Sequence, residues 1–99
     1  MRQRQPAVYI MTNSRCGTLY VGVTSHLAGR VWQHREGTFK GFTDAYGLKM
    51  LVWYEGHDTM AGAIAHEKRL KNWRRDWKID LVNGFNPSWD DLWETLGPV

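Results

Sequence analysis

Glu67 is the residue of the chain whose type and position most clearly suggest a role in chemistry. Residues 60 to 71 have the periodicity of a helix, and projection at about 100° per residue places Glu67 inside the apolar stripe of that helix. An inward carboxylate is costly to bury unless it is paired or binds a cation. Two interpretations are open: a salt bridge to Arg30, or a metal ligand. The stripe consists of Met60, Ala63, Ile64 and Leu70.

Neither of two common zinc-binding motifs is complete in this chain. His66 and Glu67 match the start of a zinc-protease motif, but Leu70 stands where the second histidine is required. Cys16 is the only cysteine, which excludes an internal disulfide and zinc sites built on clustered cysteines. A single cysteine suits a reducing intracellular compartment, so we expect a cytoplasmic protein.

Tyr9 and Tyr20 lie in two short segments that are predicted to form a β-hairpin. If Thr12 pairs with Gly17, Tyr9 lies opposite Tyr20 on one face of the hairpin, and Gly22 leaves space beside the two phenols. This arrangement would make a polar site. Ordinary packing of cross-strand aromatic residues explains the same pattern, and both interpretations are open.

Arg30 and His34 are four residues apart on a predicted helix, at the border of the stripe formed by Leu27 and Val31. An arginine and a histidine at such a border can point into a cleft. A solvated helix rim is the alternative, and the spacing does not separate the two.

The densest basic stretch spans residues 68 to 78 and is interleaved with Trp73 and Trp77. The tryptophans are predicted to pack a helix against the core, which leaves the cations free to face phosphate. A solvated basic face is the alternative. The candidate DNA-binding residues are Lys71, Arg74, Arg75 and Lys78, together with Lys40 from an earlier loop.

The elements that must position these residues follow one another closely. The hairpin covers residues 7–11 and 18–24, and the first helix covers residues 26–35. A third strand over residues 48–55 has a nearly continuous apolar run, so we expect it to be central or semi-buried. The helix over residues 60–71 comes next, and a basic helical segment and a short final helix follow it.

A length of 99 residues allows one modest core and therefore one domain, which we place at residues 7–96 after a flexible basic tail at residues 1–6. The formal net charge of +3 is a mild basic bias that is compatible with nucleic acid. No apolar run is long enough for a signal peptide or a membrane span, so we expect no membrane association.

The hairpin residues resemble a known motif. Ala7-Val8-Tyr9 and Tyr20-Val21-Gly22 look like the two halves of the GIY-YIG motif, although Ala7 and Val8 differ from the named residues. Arg30, His34, Glu67 and Asn86 follow in the order that the family shows, as do a Trp-Arg-Arg element at residues 73–75 and an Asn-Pro-x-Trp element at residues 86–89. The chain is similar to the small single-domain bacterial members of the GIY-YIG nuclease family.

The resemblance implies a mixed α/β (α+β) fold with a small three-stranded antiparallel sheet flanked by helices. It also implies a metal-dependent endonuclease that hydrolyses phosphodiester bonds of DNA. Glu67 would hold a single Mg²⁺ or Mn²⁺ ion. Arg30 would stabilise the charge that develops on the phosphorus.

The same resemblance gives roles to the remaining candidate catalytic residues. One member of the Tyr9/Tyr20 pair would activate or orient the attacking water, and His34 would shuttle the proton or bind phosphate. Asn86 would be the site asparagine, with Asn72 as the competing candidate because Asn86 lies farther from Glu67 than in many relatives.

Three functional classes remain at this point. The first is a DNA endonuclease, structure-specific and linked to DNA repair or recombination. The alternative is a catalytically weak or silent nucleic-acid-binding module that retains the fold. The third is an interaction domain that uses exposed tryptophans, which would predict neither metal binding nor salt-dependent DNA binding. A protein partner would supply specificity, and the sequence leaves the oligomeric state open.

Overall fold

The computed structural model describes residues 5–37 and 42–96, so the candidate DNA-binding residue Lys40 lies outside the described residues. Three strands, four α-helices and a 3₁₀ helix are present in these ranges. In chain order they are β1 (Ala7–Thr12), β2 (Leu19–Thr24), α1 (Leu27–Glu36), α2 (Phe42–Ala45), β3 (Met50–Gly56), α3 (Met60–Lys71), α4 (Arg75–Phe85) and the 3₁₀ helix Leu92–Leu96.

The three strands form one antiparallel sheet in the order β2-β1-β3, which confirms the expected fold class. The central strand is β1, because both of the others pair with it. Of the two alternatives predicted for the third strand, central or semi-buried, the structure therefore supports the second. Its apolar run reflects cover by helices, since Leu51, Val52 and Trp53 are buried although β3 is an edge strand.

The hairpin register differs by two residues from the predicted one. Thr12 pairs with Leu19, so that Tyr9 faces Gly22 and Tyr20 faces Met11. The loop is wider than expected because the Asn13 side chain accepts a hydrogen bond from the Thr18 backbone at 3.1 Å. A shift of two residues keeps side chains on the same face, so both tyrosines still share one face of the sheet.

Each face of the sheet contributes to its own hydrophobic cluster. On one face α3 and α4 pack against the strands, and on the other α1 and the 3₁₀ helix do so. The first cluster comprises Val8, Ile10, Val21, Val52, Trp53, Ala63, Leu70, Val82 and Trp89. The second comprises Tyr9, Met11, Val31, Leu48 and Leu51.

Polar side chains from the C-terminal segment cover part of the free edge of β3. The Asn86 amide nitrogen donates to the Val52 carbonyl at 3.2 Å, and the Leu51 backbone N–H donates to Asp91 Oδ1 at 3.2 Å. Val52 sits at a bulge, because Ile10 pairs with Trp53 whereas Met11 pairs with Leu51. These contacts satisfy backbone groups that a bare edge would leave open to other chains.

Helix α3 has the predicted bounds, and it begins after Thr59, whose hydroxyl accepts a hydrogen bond from the Gly62 backbone at 3.0 Å. Its apolar stripe is narrower than predicted, since Met60 and Ile64 are exposed and only Ala63 and Leu70 are buried.

The two tryptophans of the basic stretch have different environments. Trp73 packs on the core, whereas Trp77 is exposed, so the prediction that both pack inward was wrong. The reason is that α3 ends at Lys71 and α4 begins at Arg75, so the basic stretch is not one continuous helix.

The last two residues assigned to the N-terminal tail make contacts with the domain. Gln5 donates its backbone N–H to the Ser25 carbonyl at 3.1 Å, and the Pro6 carbonyl accepts from the His57 backbone at 2.7 Å. None of the helices in the described ranges has the length and hydrophobicity that a membrane span requires.

Replacement of Asn86 by alanine is expected to lower the free energy of unfolding by about 2 kcal/mol, or the melting temperature by roughly 10 °C. The buried amide bonds Val52 and the backbone of Asp90, and alanine would leave those groups without a partner. Thermal and urea unfolding measure the effect.

Asn72→Ala is the matched control, because Asn72 is exposed and bonds only the Lys68 carbonyl of its own helix. It should stay within about 0.5 kcal/mol of the wild type. Equal stabilities of the two variants would contradict the structural role of Asn86.

Candidate active site

A buried hydrogen bond joins strand β1 to helix α1. The Tyr9 hydroxyl lies 2.9 Å from Nε2 of His34, and both side chains are buried. Tyr9 reaches this position by lying across Gly22, because a Cβ on Gly22 would stand 2.5 Å from the Tyr9 hydroxyl oxygen. Gly22 is required here by close approach of the phenol.

Arg30 and Tyr20 complete the surroundings of this pair. Arg30, one helical turn before His34, forms a side-chain hydrogen bond with Tyr9. The ring centroid of Tyr20 lies 6.3 Å from that of Tyr9 and 5.6 Å from that of His34. The border of the α1 stripe therefore faces a cluster of polar aromatic groups.

Burial makes both members of the Tyr9–His34 pair hard to ionise. It raises the pKa of Tyr9 well above its usual value, with Tyr20 and Glu67 acting in the same direction and Arg30 opposing them. Burial, helped by the charge of Arg30, lowers the pKa of His34 from 6.5 to about 4.

A neutral Tyr9 and a neutral His34 can share this hydrogen bond in either direction, according to the tautomer of His34. An arginine can only donate, so the Tyr9 oxygen accepts from Arg30. A neutral His34 can then accept the phenolic proton at Nε2. With the proton of the neutral His34 on Nδ1, the three groups form a chain of donors that ends on the imidazole.

Glu67 lies next to this chain on α3. Its side chain is 12% exposed and pairs with Lys71, whose ammonium lies 2.9 Å from Oε2 and is 48% exposed. The same ammonium lies 5.7 Å from the centroid of the Tyr20 ring. Glu67 therefore faces partly inward, as predicted, and Lys71 belongs to the same cluster.

Most of the other predicted site residues lie elsewhere. Asn86 is buried against the edge of β3, where backbone groups engage its amide. Asn72 is exposed at the end of α3. Arg74 pairs with Asp76 at 2.8 Å, Arg75 donates to the Cys16 carbonyl in the hairpin loop, and Lys78 lies 3.5 Å from the Lys71 carbonyl.

A depression of about 300 Å³ opens beside the cluster, at the N-terminal half of α1. Arg30 lines it together with Thr24, Ser25, His26, Trp32 and Gln33. Its lining is mostly polar, with a positive charge at the edge nearest Tyr9, which suits an anionic strand more than an apolar ligand.

A second polar cluster, at the end of β3, was not expected from the sequence. Glu55, His57 and His66 offer three ligand atoms that lie within 4.8 Å of one another, the only such group among the residues that the structure describes. The signal was present in the chain. Residues 55 and 57 point to the same side of an extended segment, and a histidine follows on the next helix.

Comparison with known proteins assigns the chain to a family. The model of the GIY-YIG catalytic domain matches residues 5–80, which include Tyr9, Tyr20, Arg30, His34 and Glu67. The chain belongs to the GIY-YIG family. Membership points to a nuclease-type enzyme with DNA as its substrate, and GIY-YIG nucleases generally depend on a divalent metal.

Three relatives illustrate the similarity. The chain is 28% identical over 76 residues to the UPF0213 protein of Staphylococcus saprophyticus, which covers 77% of this chain and 92% of that protein. A UPF0213 protein of Staphylococcus aureus is 31% identical over 75 residues, covering 76% and 90%. The UPF0213 protein of Haloquadratum walsbyi is 31% identical over 65 residues, covering 66% and 73%. No solved structure matched the chain.

The donor set around Glu67 fits the hard divalent cation that GIY-YIG nucleases use. Mg²⁺ needs oxygen ligands, keeps several waters and is often held by one or two carboxylates. Glu67 supplies one carboxylate at the border of the cluster, and its partner Lys71 is exposed enough to move away. The ammonium group of Lys71 already lies 2.9 Å from this carboxylate, which indicates that the position favours positive charge.

Stability is expected to fall as the pH drops from 6.5 to about 4, partly because of His34. In this range the unfolded histidine takes up a proton and the folded one does not, so acid favours unfolding. His34→Gln keeps an acceptor for Tyr9 but cannot be protonated, so its stability should fall less steeply. Urea unfolding at a series of pH values measures the difference.

An NMR titration of the imidazole gives the direct check. The His34 signal should titrate near pH 4, well below 6.5. A midpoint near 6.5, or equal pH slopes for wild type and variant, would contradict this account of the site.

Proposed function

We propose that this protein is a divalent-metal-dependent endonuclease that hydrolyses phosphodiester bonds of DNA. The observation that carries the proposal is the convergence of Tyr9, Arg30, His34 and Glu67 on one cluster beside a polar depression. Hydrolysis of a phosphodiester needs a path for the proton of water, a fixed cation near the phosphorus and a group that holds a metal. The cluster offers a residue for each task.

Tyr9 and His34 are suited to act together as a proton relay. The raised pKa of Tyr9 makes a free phenolate a poor candidate for the base. A relay avoids this difficulty, because Tyr9 can take a proton from water while it gives its own proton to Nε2 of His34, 2.9 Å away. Tyr9 is therefore the member of the tyrosine pair that we assign to water activation.

Bound DNA would make His34 a better acceptor. Part of the depression of its pKa comes from the charge of Arg30. A phosphate beside Arg30 offsets that charge, so the imidazole gains basicity when substrate is present. Arg30 thus has two tasks: it holds the phosphate, and it links substrate binding to the basicity of the relay.

Glu67 is the residue that would hold the divalent ion. When bound, such an ion polarises a phosphoryl oxygen and stabilises the leaving oxygen. Lys71 forms an ion pair with this carboxylate through a flexible, half-exposed side chain. Its ammonium group can therefore move from Glu67 to a phosphate of the DNA backbone. We therefore assign Lys71 to the site as well as to the DNA surface.

The path of the DNA follows the polar depression and the basic side chains. Arg75 lies against the hairpin loop, and Lys78 lies against the backbone of Lys71 at the end of α3. Because each of these cations is held by a backbone carbonyl, the surface is partly preorganised for phosphate. We infer that this surface makes non-specific electrostatic contacts with DNA.

A silent nucleic-acid-binding module is the second candidate. Its surface would need the cations but not a buried tyrosine–histidine bond beside a carboxylate that is only 12% exposed. Retention of these groups favours the enzyme, because each is costly in a domain that only binds.

The remaining parts of the proposal concern biology. We infer a structure-specific activity that serves DNA repair or recombination in the cytoplasm. A protein partner would direct it to particular sites. We assign Asn86 to the structure and not to the chemistry, because backbone groups occupy its amide.

Glu67→Gln is expected to abolish metal-dependent cleavage and to change the free energy of unfolding by less than about 1 kcal/mol. The loss of charge releases an exposed lysine and leaves no buried cation behind. Cleavage of plasmid, flapped and branched DNA with Mg²⁺ or Mn²⁺ measures activity, and a thermal melt without metal measures stability.

Glu94→Gln is the control, because Glu94 is an exposed residue of the 3₁₀ helix. This variant should cleave DNA like the wild type. A folded Glu67→Gln variant that still cuts DNA would remove the metal ligand from the proposal and most of the mechanism with it.

Joint replacement of Arg75 and Lys78 by alanine is expected to weaken DNA binding similarly for all sequences. It should also reduce the slope of log affinity against log salt by about 1–2, because two phosphate contacts are lost. Fluorescence anisotropy at several salt concentrations measures this.

Lys49→Ala also removes an exposed positive charge, but from the segment before β3, and it should leave the slope unchanged. An unchanged slope in the double variant would exclude this part of α4 from the DNA footprint.

A further inference from the structure

A second cluster of ligand atoms lies where β3 ends. Nε2 of His57 is 2.9 Å from Nδ1 of His66, and the Glu55 carboxylate is 3.9 Å from the same Nδ1. We propose that Glu55, His57 and His66 bind a transition-metal ion of the zinc type, at a site separate from the one at Glu67.

The positions of the ligand atoms suit a shared ion after small side-chain rotations. Zinc bonds of about 2.0–2.2 Å place tetrahedral ligands roughly 3.4 Å apart. The two nitrogens are slightly closer than this and the carboxylate slightly farther away. Glu55 is 45% exposed, so its carboxylate can turn toward the histidines without disturbing the core.

The fold already fixes both histidines. The His57 backbone is held from both sides, since its N–H donates to the Pro6 carbonyl at 2.7 Å and its carbonyl accepts from Gln5 Nε2 at 2.6 Å. His66 is 16% exposed and packs edge-on against Trp53, with ring centroids 6.1 Å apart. Much of the entropic cost of gathering these ligands is therefore met by folding.

The chemistry of the donors selects the kind of ion. Two imidazoles and one carboxylate suit zinc and its first-row neighbours, whereas Mg²⁺ takes oxygen ligands. The open sides of the cluster leave room for water as a fourth ligand. The ion expected at Glu67 and the ion expected here therefore belong to different classes.

The two sites share α3 but not a face of that helix. Successive helical residues are rotated by about 100°, so His66 and its neighbour Glu67 point in different directions. An ion bound by the second cluster would connect the end of β3 to α3 and, through His57, to the segment before β1. We expect it to stabilise the position of the helix that carries Glu67.

The test is a titration of the metal-free protein with Zn²⁺. Calorimetry measures the binding, and thermal melting measures the change in stability. One Zn²⁺ should bind per chain and raise the melting temperature, and Mg²⁺ should not reproduce the rise. His57→Gln and His66→Gln should each weaken zinc binding by roughly tenfold or more. Co²⁺ should give visible absorption bands in the wild type that both variants lose.

Three controls locate the ion. Cys16→Ser, His34→Gln and Glu67→Gln should bind zinc like the wild type, because none of them belongs to the cluster. Retention of zinc by Glu67→Gln, with loss of DNA cleavage, would show that the two sites are independent. No rise in melting temperature with Zn²⁺, or an equal rise in His66→Gln, would overturn the proposal.

Discussion

The hydrogen bond between Tyr9 and His34 is the constraint on which the site depends. It joins the central strand to α1 inside the protein, where water cannot replace either partner, so loss of one group leaves the other unsatisfied. Gly22 makes the bond geometrically accessible, because any side chain there would occupy the space of the phenol. Arg30 then orients the hydroxyl by donating to it. One glycine on a neighbouring strand thus allows the phenol of Tyr9 to reach the imidazole of His34.

The sheet gives this bond its rigidity. Strand β1 is paired on both sides, so Tyr9 stands on the part of the fold that is hardest to deform. Strand β3 is at the edge, and Asn86 and Asp91 satisfy two of its free backbone groups. The C-terminal segment therefore contributes to the site indirectly, by closing the sheet whose centre carries the tyrosine.

Local pattern predicted most elements and the grouping of the main candidates, and it failed where tertiary contacts decide. The spacing of Arg30 and His34 and the inward position of Glu67 follow from helical periodicity, which is a property of the chain itself. The prediction of the hairpin register failed because the loop is wider than expected, with the Asn13 side chain accepting a hydrogen bond from the Thr18 backbone. The edge position of β3 was missed because burial by helices gives the same apolar run as a central strand. The partner of Glu67 was also missed, although Lys71 lies four residues later on the same helix and helical spacing alone brings it to the carboxylate.

In the proposed mechanism, the charges of the site would let one cluster be stable without substrate and reactive with it. In the free protein the tyrosine and histidine are both neutral, so burial carries no large electrostatic cost. The carboxylate is balanced by a lysine that remains in contact with solvent. In the proposed mechanism, an incoming phosphate would change this balance at Arg30 and Lys71 together, because both cations would gain a new partner. The basicity of His34 and the availability of Glu67 would then rise in the same event, which would link the chemistry to the presence of DNA without any change of fold.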